Sequence, residues 1–144
     1  MKLYVKKLHP GAVIPTAGSP FAAGYDLYAC LEEPAVIPPQ ASAMIGTGLA
    51  IAVPEGWFGA LFARSGLAAK QGLRPANCVG VCDSDYRGEY KVPLYNDSDE
   101  ARTVTQGERI AQLILLPCQT LEFEETETLP DTQRGSGGFG STGI

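Results

Sequence analysis

Apolar residues along this chain come in short runs, each soon broken by glycine, proline or a polar cluster. That punctuation predicts an all-β protein rather than helices packed on a sheet. Strands are predicted at Lys2–Lys6, Gly24–Ala29, Ala43–Val53, Trp57–Ala63, Val79–Cys82, Tyr90–Asn96, Ala101–Thr105, Ile110–Leu116 and Leu121–Glu125. Pro54-Glu55-Gly56 lies between two apolar runs and reads as a hairpin turn. Pro20 and Pro38-Pro39 cannot donate ladder hydrogen bonds and belong in loops or at edges. One stretch, Ser65–Gly72, reads as a helix. Ser65 would cap it, Ala68, Ala69, Lys70 and Gln71 favour it, and Gly72 would end it. Many short strands with such turns suit a sandwich, a barrel or a jelly roll, and periodicity does not choose among them.

The last segment breaks the pattern. After Pro130 the chain runs Asp131-Thr132-Gln133-Arg134-Gly135-Ser136-Gly137-Gly138-Phe139-Gly140-Ser141-Thr142-Gly143-Ile144. It has too little apolar surface to order itself. It reads either as a frayed tail or as an arm that closes over a ligand. In the second reading Arg134 serves phosphate and Phe139 serves a flat ring.

Composition narrows the function classes. The 144 residues fit one domain, with 44% hydrophobic and 19% charged residues. A net charge of −5 gives no basic field for nucleic acid, although a few placed arginines can still hold a small anion. No apolar run is long enough to span a membrane. The start, Met1-Lys2-Leu3-Tyr4-Val5-Lys6-Lys7, lacks the apolar core of a signal peptide, so a cytoplasmic location is expected. Cys30, Cys78, Cys82 and Cys118 form no paired CxxC and are expected as free thiols. His9 is the single histidine, beside Pro10 in an expected surface turn. Zinc and histidine-based nucleophilic catalysis are therefore disfavoured. Acid–base chemistry falls to carboxylates, with a metal as partner.

Two stretches carry that chemistry. Asn77-Cys78-Val79-Gly80-Val81-Cys82-Asp83-Ser84-Asp85-Tyr86-Arg87-Gly88 runs from an apolar strand into an acidic turn. Read alone, it is a hairpin with solvated carboxylates, and it lacks the full spacing of a calcium loop. Ala63-Arg64-Ser65-Gly66-Leu67-Ala68 offers a guanidinium, a hydroxyl and backbone N–H groups at a helix start, a sound way to hold phosphate. Read alone, it is an ordinary helix start.

Together with Ala23–Ala29 (AGYDLYA), Gly107–Leu113 (GERIAQL) and Arg134–Gly143 (RGSGGFGSTG), these two stretches make five blocks. In content and order the chain resembles the trimeric dUTP diphosphatases, the dUTPase family, over essentially its full length. The resemblance implies a β jelly roll over residues 1–129 with one short helix, and a flexible arm over residues 130–144. It implies a homotrimer whose active sites draw on more than one subunit. It implies Mg²⁺-dependent hydrolysis of dUTP to dUMP and pyrophosphate, which keeps uracil out of DNA and supplies dUMP for dTMP synthesis.

By the same resemblance, Asp83 is the general base that orients and deprotonates the attacking water, while positioning supplies much of the effect. Asp85 is its rival: if the two lie on one strand they share a face, so geometry alone does not exclude it. Tyr86 packs on the deoxyribose and rejects a 2′-hydroxyl. Asn77 and the backbone of residues 80–86, including Gly80, Val81 and Cys82, read uracil. Lys91 counts with this region. Arg64, Ser65 and Gly66 bind phosphate, and Gln112 lies near the α-phosphate. Arg134 contacts the γ-phosphate, Phe139 stacks on uracil, and Gly140, Ser141 and Thr142 add donors. Mg²⁺ is held by the phosphates and water, with Asp26 as an outer-sphere partner.

Three positions depart from the family's commonest pattern: Ala63 and Val79, where proline is frequent, and Cys82, where an aliphatic residue is frequent. Losing a proline is tolerable, and Cys82 suits a core position as a small hydrophobe. Regulation by oxidation of Cys78 or Cys82 needs an exposed, electropositive thiol. Two rivals stay in view: a dCTP deaminase of the same superfamily, and a catalytically silent nucleotide-binding protein.

Overall fold

A computed structural model describes residues 1–138. In chain order the elements are β1 (Tyr4–Lys7), β2 (Thr16–Ala17), β3 (Tyr25–Tyr28), β4 (Ala35–Ile37), β5 (Ser42–Gly46), β6 (Leu49–Ala52) and β7 (Trp57–Phe62). They continue with α1 (Ser65–Gln71), β8 (Leu73–Pro75), β9 (Val79–Cys82), β10 (Lys91–Asn96), β11 (Arg102–Val104) and β12 (Arg109–Pro117). Every pairing is antiparallel. The largest sheet has the order β2-β3-β12-β7-β9; smaller ones are β5-β10-β8, β1-β6 and β11-β4. One hydrophobic cluster joins them, including Leu27, Ile37, Ile45, Leu49, Ile51, Leu73, Val92, Leu94, Val104 and Ile110. This is the all-β jelly roll expected, with its one short helix.

The predicted run Ala43–Val53 is two strands. Gly48, at φ +65°, breaks it where a left-handed backbone favours glycine. Thr47 bonds both its N–H (3.1 Å) and its hydroxyl (2.7 Å) to the Tyr90 carbonyl. The chain changes sheet at this break, since β5 pairs with β10 and β6 pairs with β1. The Pro54–Gly56 turn is present, with Gly56 at φ +78° and Trp57 N–H bonded to the Pro54 carbonyl at 3.2 Å. It is not a hairpin, because β6 and β7 lie in different sheets. Likewise β9 pairs with β7 and not with β10, so the acidic stretch is a sheet-to-sheet crossing rather than a hairpin.

Helix α1 differs from its prediction at one end. Arg64, extended at φ −87° and ψ 126°, is the cap residue, with no side-chain capping bond, so Ser65 is the first helical residue and not the cap. Gly72, at φ 68°, ends the helix as expected. Strands β2, β4 and β8, of two or three residues, were too short to show a period. The predicted strand Leu121–Glu125 does not form. Leu121 and Phe123 alternate with glutamates as a half-buried strand would, yet they stand 65% and 89% exposed. No described element pairs with residues 118–138. No helix among the described residues is long and apolar enough to cross a membrane.

Candidate functional site

The site begins with strand register. Central strand β12 places Gln112 opposite Asp26 of β3 on one side and Phe62 of β7 on the other. Arg64 follows two residues beyond Phe62, which brings α1 to the same corner. A bulge on β12 completes the arrangement. Ala111 pairs with Leu27, but Arg109, not Ile110, pairs with Tyr28. The extra residue reverses the alternation, so Arg109 takes the face of Asp26 and Gln112 while Ile110 is buried at 1% exposure.

Asp26 is thus held between two guanidiniums. Arg64 Nε lies 2.7 Å from its Oδ1 and Arg109 Nη1 lies 3.2 Å from its Oδ2. The Asp26 side chain is 13% exposed, while that of Arg109 is 52% exposed. One carboxylate against two arginines leaves a net positive corner. Gln112 donates its amide to the Ala63 carbonyl at 2.8 Å, which ties β12 to the chain entering α1. Gly24 makes room for it, since a Cβ there would stand 2.6 Å from Gln112 Oε1. The result is a polar groove of about 320 Å³ lined by Gly24, Asp26, Arg64, Ser65, Gly66, Arg109 and Gln112 among others. Arg109 had no role in the sequence reading. The bulge that aims it leaves no local signature beyond an apolar run of normal length.

The acidic stretch lies elsewhere on the sheet. Gly80 is buried against Leu61, and Val81 is 63% exposed. Cys82 is buried, and Asn77, Asp83, Asp85 and Tyr86 are exposed. Cys78 holds a left-handed φ of +62°, which turns the chain into β9. Val79 uses its N–H on the Asn77 carbonyl at 2.7 Å, a bond that a proline at this position would forfeit. The Asp83 carbonyl accepts the Tyr86 N–H at 3.2 Å and so closes the acidic turn. Lys91 pairs with Glu89 at 3.3 Å.

Register shows how far apart these two parts lie. β9 pairs Val79 with Phe62 and Cys82 with Gly59, so Asp83 continues toward Phe58, at the end of β7 away from Arg64. Six residues of strand at about 3.3 Å each put roughly 20 Å between them. One chain therefore does not bring Asp83 to the Arg64 groove. Arg134 lies on the exposed tail, its Nε donating to the Gly137 carbonyl at 2.7 Å. Phe139, Gly140, Ser141 and Thr142 lie outside the described residues.

Cys82 packs in the core beside Gly59 and Tyr90, as a small hydrophobe would. Burial pushes its thiol above the usual range, the Tyr90 hydroxyl partly opposing this. A buried neutral thiol does not suit redox control. The Tyr90 hydroxyl is itself buried without a conventional hydrogen-bond partner among the described residues, the neighbouring Cys82 thiol being at best a weak one. Burial and the Cys82 thiol push its ionisation well above the usual tyrosine range. Tyr90→Phe is accordingly expected to leave stability unchanged or raise it by about 1 kcal/mol, as read by urea unfolding.

A net-positive polar groove on an antiparallel jelly roll, with an acidic turn presented at a distance, is a geometry suited to a compact polyanion. A model of the dUTPase family matches residues 11–143. A deoxyuridine 5'-triphosphate nucleotidohydrolase of Hydrogenobaculum sp. is 45% identical over 100% of this chain and 99% of its own. One from Wolinella succinogenes is 48% identical over 99% of this chain and 95% of its own. A Staphylococcus bacteriophage 80alpha dUTPase mutant, solved with dUpNHpp, superposes with a TM-score of 0.86 at 31% identity over 99% of both chains. The chain belongs to the dUTPase family.

Proposed function

We propose that this chain hydrolyses dUTP to dUMP and pyrophosphate, as a cytoplasmic homotrimer whose sites are shared between subunits. The observation that carries the shared site is the separation, by roughly 20 Å of strand, of Asp83 from the Arg64 groove of its own chain. Neither part has what the reaction needs, and a second copy supplies what the first lacks.

In this reading Arg64, Ser65, Gly66 and Gln112 receive the phosphates, and Arg109 joins them as a second guanidinium. Asn77 and the backbone of Gly80, Val81 and Cys82 read the uracil edge, with Lys91 beside them, while Tyr86 packs on the deoxyribose. Asp83 takes a proton from water as the water oxygen bonds to the α-phosphorus. The bond from that phosphorus to the bridging oxygen breaks, and pyrophosphate leaves. Residues 130–144 form an arm over the jelly roll of residues 1–129, with Arg134 on the γ-phosphate and Phe139, Gly140, Ser141 and Thr142 closing on the nucleotide.

Among the described residues no three His, Cys, Asp or Glu side chains gather to hold a metal. Asp26 is already engaged by two arginines, so its remaining lone pairs suit waters around an ion better than the ion itself. That fits Mg²⁺ arriving with the triphosphate, where it would neutralise charge and orient the leaving group.

Two surface features support self-association. Residues Leu121–Glu125 carry exposed apolar side chains between glutamates. Strand β1, which contains Lys6 and Lys7 and is preceded by Lys2, pairs on one edge only among the described residues and borders an apolar groove that includes Leu3, Val5, Leu113 and Leu115. Opposite charges and matching alternation favour a second copy as the occupant.

The site of attack is tested in ¹⁸O-labelled water. Label in dUMP is expected; label in pyrophosphate, or dUDP as product, would contradict attack at the α-phosphorus.

A further inference from the structure

We propose that Glu89 is a positioning residue for sugar selection, holding the ring of Tyr86 in place; this rests on the reading of Tyr86 as the group that packs on deoxyribose. Tyr86 sits in the link between β9 and β10, half-exposed and outside both strands. Two contacts fix it locally. Its hydroxyl donates to the Glu89 backbone carbonyl at 3.0 Å. Gly88 lies so close under the ring that a Cβ there would run into the hydroxyl. The position of Tyr86 therefore follows the position of residue 89.

Residue 89 is anchored by its side chain. The Glu89 carboxylate turns inward, its side chain 27% exposed. Oε1 accepts the Gly48 N–H at 2.9 Å, at the left-handed break between β5 and β6. Oε2 lies 3.3 Å from Lys91 Nζ. Gly46 leaves the space that the carboxylate fills, since a Cβ on Gly46 would stand 2.5 Å from Oε1. An acidic side chain thus ties the Tyr86 link to the break between β5 and β6. A half-buried carboxylate of this kind, bonded to a backbone N–H and paired with a lysine, is a stronger acceptor than a neutral one. A displaced ring would admit the 2′-hydroxyl that a fixed ring excludes.

The test compares kcat/KM for dUTP and UTP in the wild-type protein and in Glu89→Ala, Glu89→Gln, Gly46→Ala and Tyr86→Ala. Gly46→Ala displaces the carboxylate without removing it, and Gly46 has no left-handed φ to strain. The expected result is a preference for dUTP lowered about tenfold in Glu89→Ala and Gly46→Ala. Most of that change comes from faster use of UTP, with kcat for dUTP little changed. Glu89→Gln, which keeps an acceptor for Gly48, should retain most of the preference. If Tyr86→Ala loses the preference while Glu89→Ala and Gly46→Ala keep it, the role of Glu89 is overturned. Equal losses in Glu89→Gln and Glu89→Ala would overturn the Gly48 contact as the anchor. If Tyr86→Ala keeps the preference, the reading of Tyr86 fails first, and the inference fails with it.

Discussion

Asp83→Asn is expected to lower kcat for dUTP by about 10²–10⁴-fold, with affinity for dUpNHpp little changed. Asparagine keeps the size and one oxygen of the carboxylate but cannot take the water's proton. Asp83 stands exposed at the end of β9, just past the last residue paired with β7. Asp85 lies two residues further into the same exposed turn, so Asp85→Asn is the matched control and is expected to keep most of the activity. A steady-state kcat beside a binding isotherm reads both quantities. Loss in the Asp85 variant with activity kept in the Asp83 variant would exchange their roles.

The second large effect comes from mixing two dead proteins. Arg64→Ala removes the guanidinium 2.7 Å from Asp26 and should abolish phosphate capture in its own chain. Asp83→Asn removes the proposed base. With roughly 20 Å between the two positions in one chain, the proposed shared site would take them from different copies. Co-refolded at equal amounts, the two variants should recover about a quarter of wild-type activity. Random assembly makes about one site in four from an intact Asp83 and an intact Arg64. A chain carrying both substitutions should recover nothing when mixed with itself. Recovery of no activity from mixed trimers, with light scattering confirming the mixing, would place both residues in one chain's site and contradict the register argument.

How much of this was visible in the sequence depends on distance along the chain. Strand β9, from Val79 to Cys82, was legible to the residue, because glycine and alternating apolar positions bound it locally. The end of α1 at Gly72 was legible because only a left-handed residue ends a helix that way. The break at Thr47-Gly48 was not, since apolar runs stand on both sides of it and the change of sheet depends on bonds to Tyr90, far off in sequence, as well as on the left-handed Gly48. The strand expected at Leu121–Glu125 had the right alternation but no partner among the described residues, and a strand is stable only when paired. The residues that line the Arg64 groove were legible as blocks. Their assembly around Asp26 was not, because it depends on a bulge at Ile110 that turns Arg109 to the groove. Asp26 was expected beside the water shell of a metal; its contacts in this chain are two arginines.

The most direct test of the central claim is pyrophosphate release from dUTP, dCTP, dTTP and UTP with Mg²⁺, run beside Asp83→Asn. Fast turnover of dUTP alone, lost in the variant, is the result predicted. A folded, magnesium-supplied protein that leaves dUTP intact would contradict it. Ammonia release from dCTP would then point to the deaminase chemistry of the same superfamily, and binding without turnover to a silent nucleotide-binding protein.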